Sequence, residues 1–87
     1  MKTRNMESNR GNAVPNQFII TDDFGAEFFQ SYSTLIAKRI GGQVTLDADK
    51  WDYSTTTRKY RNIFLGETKK ETLKKIKTGE YKLAKLN

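Results

Sequence analysis

Hydrophobic and polar positions change their period part-way along the chain. Residues 1–15, MKTRNMESNRGNAVP, show no apolar periodicity and end in the only Pro. They predict a flexible basic N-terminal arm carrying Lys2, Arg4 and Arg10. A single small domain, residues 16–87, is expected to follow. QFIIT (17–21) and AEFFQSY (26–32) are rich in β-branched and aromatic residues. Asp22-Asp23-Phe24-Gly25 separates them and favours a turn, so the two read as a hairpin. TLIAKRI (34–40) is a third strand candidate. Gly41-Gly42 signals a two-residue turn, and QVTLD (43–47) sets Val44 and Leu46 on one face. The first half therefore predicts an antiparallel meander of about four strands.

After residues 47–53 the period shifts from two to 3.6. Ser54 is placed as the N-cap of a first helix, with Tyr60, Ile63 and Phe64 on one face and Gly66 just past its end. Thr68 and Glu71 form a Thr-x-x-Glu capping box for a second helix, which Gly79 ends. Residues 80–86 are expected to form a short last strand or a packed tail. The fold class is thus α+β: a meander, two helices and a C-terminal strand or tail. Phe18, Ile20, Phe28, Leu35, Ile36, Val44, Leu46, Trp51, Tyr60, Ile63, Phe64, Leu73, Ile76 and Leu83 are the expected core. It is too small to hollow out a large active-site pocket.

Composition then narrows the chemistry. The 87 residues include no Cys and no His. That removes disulfides, thiol chemistry, ordinary zinc sites and His-based triads. No apolar run reaches the ~18 residues of a membrane span, and no signal-peptide core follows Met1, so a cytoplasmic protein is expected. The net charge of +6 is unevenly placed: residues 1–53 sum to −1 and residues 54–87 to +7. Such asymmetry points to an anionic partner.

The candidate contacts lie in the helical half. Arg58 and Arg61 are expected to face away from the first helix's apolar side, with Lys59 beside them. Lys70, Lys74 and Lys77 fall at i, i+4, i+7 and form a stripe on the second helix. Lys75 is placed to pair with Glu71. Together with Arg4 and Arg10 of the arm, these cations predict a surface that tracks the phosphates of DNA or RNA. Ser54, Thr55 and Thr56 sit at a helix start, where free amides and the helix dipole favour an anion. Phe24, Phe29, Tyr32, Tyr53 and Tyr81 exceed what one sheet face buries, and some are candidates to stack on bases beside Lys38 and Arg39. Asp47, Asp49 and Asp52 lack the spacing of a calcium loop, and a strand-to-helix loop explains them better than a metal does. No catalytic residue, cofactor or metal is expected.

FFQSYSTLIA (28–37), WDYSTTTRKYRNIFLG (51–66) and KKETLKKIKTGEYKL (69–83) resemble a family of small proteins, a domain of unknown function, from phages and mobile elements of Gram-positive bacteria. The resemblance covers about four fifths of the chain. It implies a phage-type protein acting in host cytoplasm and carries over no catalytic residue. Two functions remain in view. One is a non-enzymatic nucleic-acid-binding protein. The other is an inhibitor or modulator that binds an acidic surface of a host protein, such as a defence nuclease.

Overall fold

Among the described residues five strands precede the helices, one more than the period-two pattern suggests. In the computed structural model, which describes residues 1–8 and 10–87, β1 (Lys2–Glu7), β2 (Ala13–Thr21), β3 (Glu27–Ser31), β4 (Thr34–Ile40) and β5 (Gln43–Asp47) come first. α1 (Thr55–Leu65), α2 (Lys69–Thr78) and β6 (Tyr81–Ala84) follow. The strands form one sheet in the order β1 to β6. Every pairing is antiparallel except β5–β6, which is parallel and is connected through both helices. The fold is α+β. Among the described residues no helix is long and apolar enough to cross a membrane.

Residues 1–15 depart from the predicted flexible arm. Lys2 lies opposite Thr21 and Asn5 opposite Phe18, so β1 is an edge strand of the sheet. Ser8 and Asn12 close the connection to β2 through the Ser8 N–H and the Asn12 carbonyl at 2.8 Å. Residue 9 of the predicted arm lies outside the described residues. Hydropathy misses β1 for a physical reason. Met6 is its only buried residue, and an edge strand can expose the rest to water.

The helices cover one face of the sheet. Ile19, Phe29, Ile36, Ala37, Val44 and Leu46 point to that side and are buried with Met6, Phe64 and Tyr81. α1 lies against β3 and β4, and α2 against β6. The Phe64 ring packs on Phe29, with centroids 5.9 Å apart and planes 27° from parallel. Arg39 clamps the same contact. It donates to the Phe64 carbonyl at 2.9 Å, pairs with Glu27 at 3.0 Å and stands 4.4 Å from the Phe64 ring.

The strand phase differs from the expected core. Phe18, Ile20, Phe28 and Leu35 occupy the opposite, helix-free face and are only half-buried. Both alternating sets of FII and FF are apolar, so period two leaves the choice of face open, and the helix layer decides it. A bulge at Ile36 adds a correction. Phe29 pairs with Ala37 and Gln30 with Leu35, which leaves Ile36 unpaired while both Ile36 and Ala37 are buried.

The helices are capped as the sequence predicts. Ser54 accepts from the Thr57 N–H, Gly66 ends α1 at φ 70°, and Thr68 and Glu71 form a full capping box. The faces are rotated, however. α1 buries Thr57, Arg61 and Phe64, and leaves Ile63 49% exposed. α2 buries only Thr72, and Leu73 and Leu83 are about half exposed.

Candidate nucleic-acid interface

The loop before α1 brings Asp52 beneath the helix start. Arg58 Nε lies 3.0 Å and Arg61 Nη1 3.1 Å from its Oδ1, and Lys69 Nζ lies 2.8 Å from its Oδ2. One carboxylate thus joins the loop, α1 and α2. Burial pushes the Asp52 carboxyl up, but the donated bonds from Lys69, Arg58 and Arg61 outweigh it and hold its pKa at about 2.

Arg61 is corrected by this geometry. Its side chain is 0% exposed, so it cannot serve as a surface phosphate contact. The guanidinium donates to the Trp51 carbonyl at 2.8 Å and to Asn62 Oδ1 at 3.0 Å, and lies 4.9 Å from the Trp51 ring. Burial depresses its pKa and Asp52 opposes that, yet a guanidinium stays charged. Arg58 remains partly exposed but is held by Asp52, which it shares with Arg61 and Lys69. The expected anion site at Ser54, Thr55 and Thr56 starts two residues after this carboxylate, whose negative charge works against a second anion there. Ser54 itself is committed to the cap: its hydroxyl accepts from the Thr57 N–H and donates to Thr57 Oγ1, which in turn donates to Ser31. Thr55 and Thr56 are exposed.

A second carboxylate, Glu67, lies in the connection between α1 and α2. It accepts from the Thr72 hydroxyl at 2.6 Å, the Tyr81 hydroxyl at 2.6 Å and Lys75 at 2.9 Å, with only 3% of its side chain exposed. Lys75 therefore pairs with Glu67 and not with the expected Glu71, which is held in the capping box. Burial pushes the Glu67 carboxyl up, and the bonds from Thr72, Tyr81 and Lys75 bring it below its usual value.

What remains free is narrower than the charge count suggests. Lys70, Lys74 and Lys77 are exposed and form no ion pair among the described residues. Their spacing on α2 keeps them on one stripe. Lys59 is exposed beside the Tyr60 ring at 5.4 Å. Arg4 on β1 and Arg10 at the β1–β2 turn are also exposed. They lie at the opposite edge of the sheet from α2, which packs on β6. The predicted contacts thus divide into a free α2 stripe, a distant β1 edge and an internal Asp52 cluster.

The aromatic candidates divide too. Phe29 and Tyr81 are buried, while Phe24, Tyr32 and Tyr53 are exposed. Lys38 and Arg39 point to opposite faces, and Arg39 is tied to Phe64. Asp47 is no ligand in waiting: it accepts from the Leu86, Lys50 and Asp49 amides and from Asn87. It lines a cleft of about 340 Å³ with Ser33, Thr34, Asp49, Lys50, Lys85 and Asn87.

Residues 1–80 match a family of unknown function, DUF8033. The chain belongs to that family. No curated protein and no solved structure matches this DUF8033 member. The DUF8033 match takes in β1 as well as the Asp52 and Glu67 carboxylates and the whole α2 stripe, and stops just before β6. Sequence reasoning missed Asp52 and Glu67 as organisers. Neither stands out in the sequence, because Asp52 follows Asp47 and Asp49 closely and Glu67 lies four residues before Glu71.

Proposed function

We propose that this chain is a non-enzymatic nucleic-acid-binding protein that contacts phosphates through α2. The observation that carries the reading is the stripe of Lys70, Lys74 and Lys77, exposed and without ion-pair partners among the described residues. Of the other helical cations, Arg58, Arg61, Lys69 and Lys75 are held by Asp52 and Glu67. Lys59 extends the reading onto α1. In this reading the protein comes from a phage or mobile element, acts in host cytoplasm and uses no cofactor.

Charge and salt provide the test. Each phosphate contact on duplex DNA contributes about −0.9 to the slope of log affinity against log salt. Replacing Lys70, Lys74 and Lys77 with Gln should flatten the slope for a labelled duplex by about 2 to 3. Arg58→Gln should flatten it less than any one of the three lysines does, because that guanidinium is held by Asp52. Absence of duplex binding at ~50 mM salt overturns the proposal. So does capture of one stoichiometric host protein from nuclease-treated lysate by a chain that binds no oligonucleotide.

A further inference from the structure

The helix-free face of the sheet carries a ligand signature of its own. Phe18, Ile20, Phe28 and Leu35 lie on it half-buried, and Ile40 is 43% exposed. Phe28 sits directly opposite Ile20 and diagonally from Phe18 on the neighbouring strand, so the two rings are close neighbours on the two adjacent strands. Lys38 is paired with Phe28 across the next ladder, its Nζ 5.7 Å from the ring centroid. Lys82 continues the same face through Thr45, its partner on β5. Over β2–β6 the one carboxylate in this phase is Asp47, which is 2% exposed and occupied by its four donors. The face therefore offers flat apolar rings and ammonium groups, with no acid to satisfy them from within.

We propose that this face is a stacking platform for single-stranded nucleic acid, with Phe18 and Phe28 taking unpaired bases and Lys38 and Lys82 the phosphates. Charge complementarity selects the occupant. A second copy laid face to face would bring lysines against lysines and apolar rings, leaving the ammonium groups without an anion. An anionic membrane would meet Phe24 first, 87% exposed at the β2–β3 turn but flanked by Asp22 and Asp23. A single strand supplies both missing partners, since every base has a π-face and every linkage a negative charge. The platform shares no residue with the α2 stripe, so the two surfaces stand or fall separately.

The probe is a fluorescein-labelled oligothymidylate of about 12 nucleotides, followed by anisotropy at low salt. Joint Phe18→Leu and Phe28→Leu replacement keeps apolar bulk but removes the rings. It should weaken oligothymidylate binding about tenfold or more, and leave duplex binding unchanged. Phe28→Trp keeps a flat ring and should retain the affinity. Lys38→Gln with Lys82→Gln should flatten the single-strand salt slope by about 1. Circular dichroism confirms that each variant is folded. The proposal is overturned if the folded Leu variant binds oligothymidylate as tightly as the parent. It is also overturned if the α2 Gln variant alone abolishes that binding. Co-sedimentation with phosphatidylglycerol vesicles, or a monomer–dimer equilibrium lost in the Leu variant, without oligothymidylate binding, would overturn it in favour of a lipid or a second copy.

Discussion

Arg61 shows how far one side chain can lie from its expected place. A helical wheel puts it among the polar residues of α1, yet it is among the largest fully buried side chains in the chain. Its inward position works because Trp51 supplies a carbonyl and a ring, and Asp52 a counter-charge, in the same pocket. Removing one partner of a buried pair is costly, because the other polar groups lose their bonds. Arg61→Ala should therefore destabilise the protein by about 3 kcal/mol, read as a lowered midpoint in urea. Arg61→Lys keeps the charge but not the fork that holds Trp51, Asp52 and Asn62 together, and should cost less than the Ala variant. An Arg61→Ala protein with unchanged stability and weaker nucleic-acid binding would show that the side chain faces the ligand after all. The same lesson holds for Lys75, which local i, i+4 geometry assigns to Glu71 and three-dimensional packing assigns to Glu67.

Whole elements were legible where local chemistry sets them. β4 and β5 begin and end where the period and Gly41-Gly42 place them, and α2 starts at its capping box. β1 was not legible, because an edge strand whose one buried side chain is Met6 looks like a polar tail. α2 is anchored weakly by apolar burial and more strongly by polar contacts around its N-terminal end, which permits a comparison. Thr68→Ala removes an exposed cap and should cost about 1 kcal/mol. Glu67→Gln alters a buried acceptor of three bonds and should cost more, about 2 kcal/mol, by weakening the tie between α2 and β6. Thermal unfolding of the two variants ranks them, and the reverse order would contradict the anchoring role given to Glu67.

At the scale of the molecule, two carboxylates decide how much of the basic charge is available. Asp52 and Glu67 hold four helical cations in place, and Asp47 fastens Leu86 and Asn87 beside β5. All three have pKa values below the ordinary range in the folded state. For Asp47, burial raises the value and the amide bonds more than offset it. The folded state thus binds fewer protons than the unfolded one in mild acid, and stability must fall as pH is lowered. For Asp52, with an ordinary value of 3.8 and a folded value of about 2, the stabilisation is complete above about pH 5 and is lost progressively toward pH 2. Its share is about 2 kcal/mol. Urea titrations from pH 7 to pH 2 should show this decline, and Asp52→Asn should start less stable and decline less.

The amino-acid sequence by itself determined the α+β class, the central hairpins, both caps and the lysine stripe on α2. These depend on neighbours within a few residues: turn chemistry, capping hydroxyls and helical spacing. Tertiary structure alone decided which face of the sheet is covered, that β1 joins it and which cations stay free. In FII and FF both faces are apolar, so the choice falls to the helix that packs there. A charge becomes available or spent according to the carboxylate that folding brings beside it, and neither Asp52 nor Glu67 announces its partners along the chain.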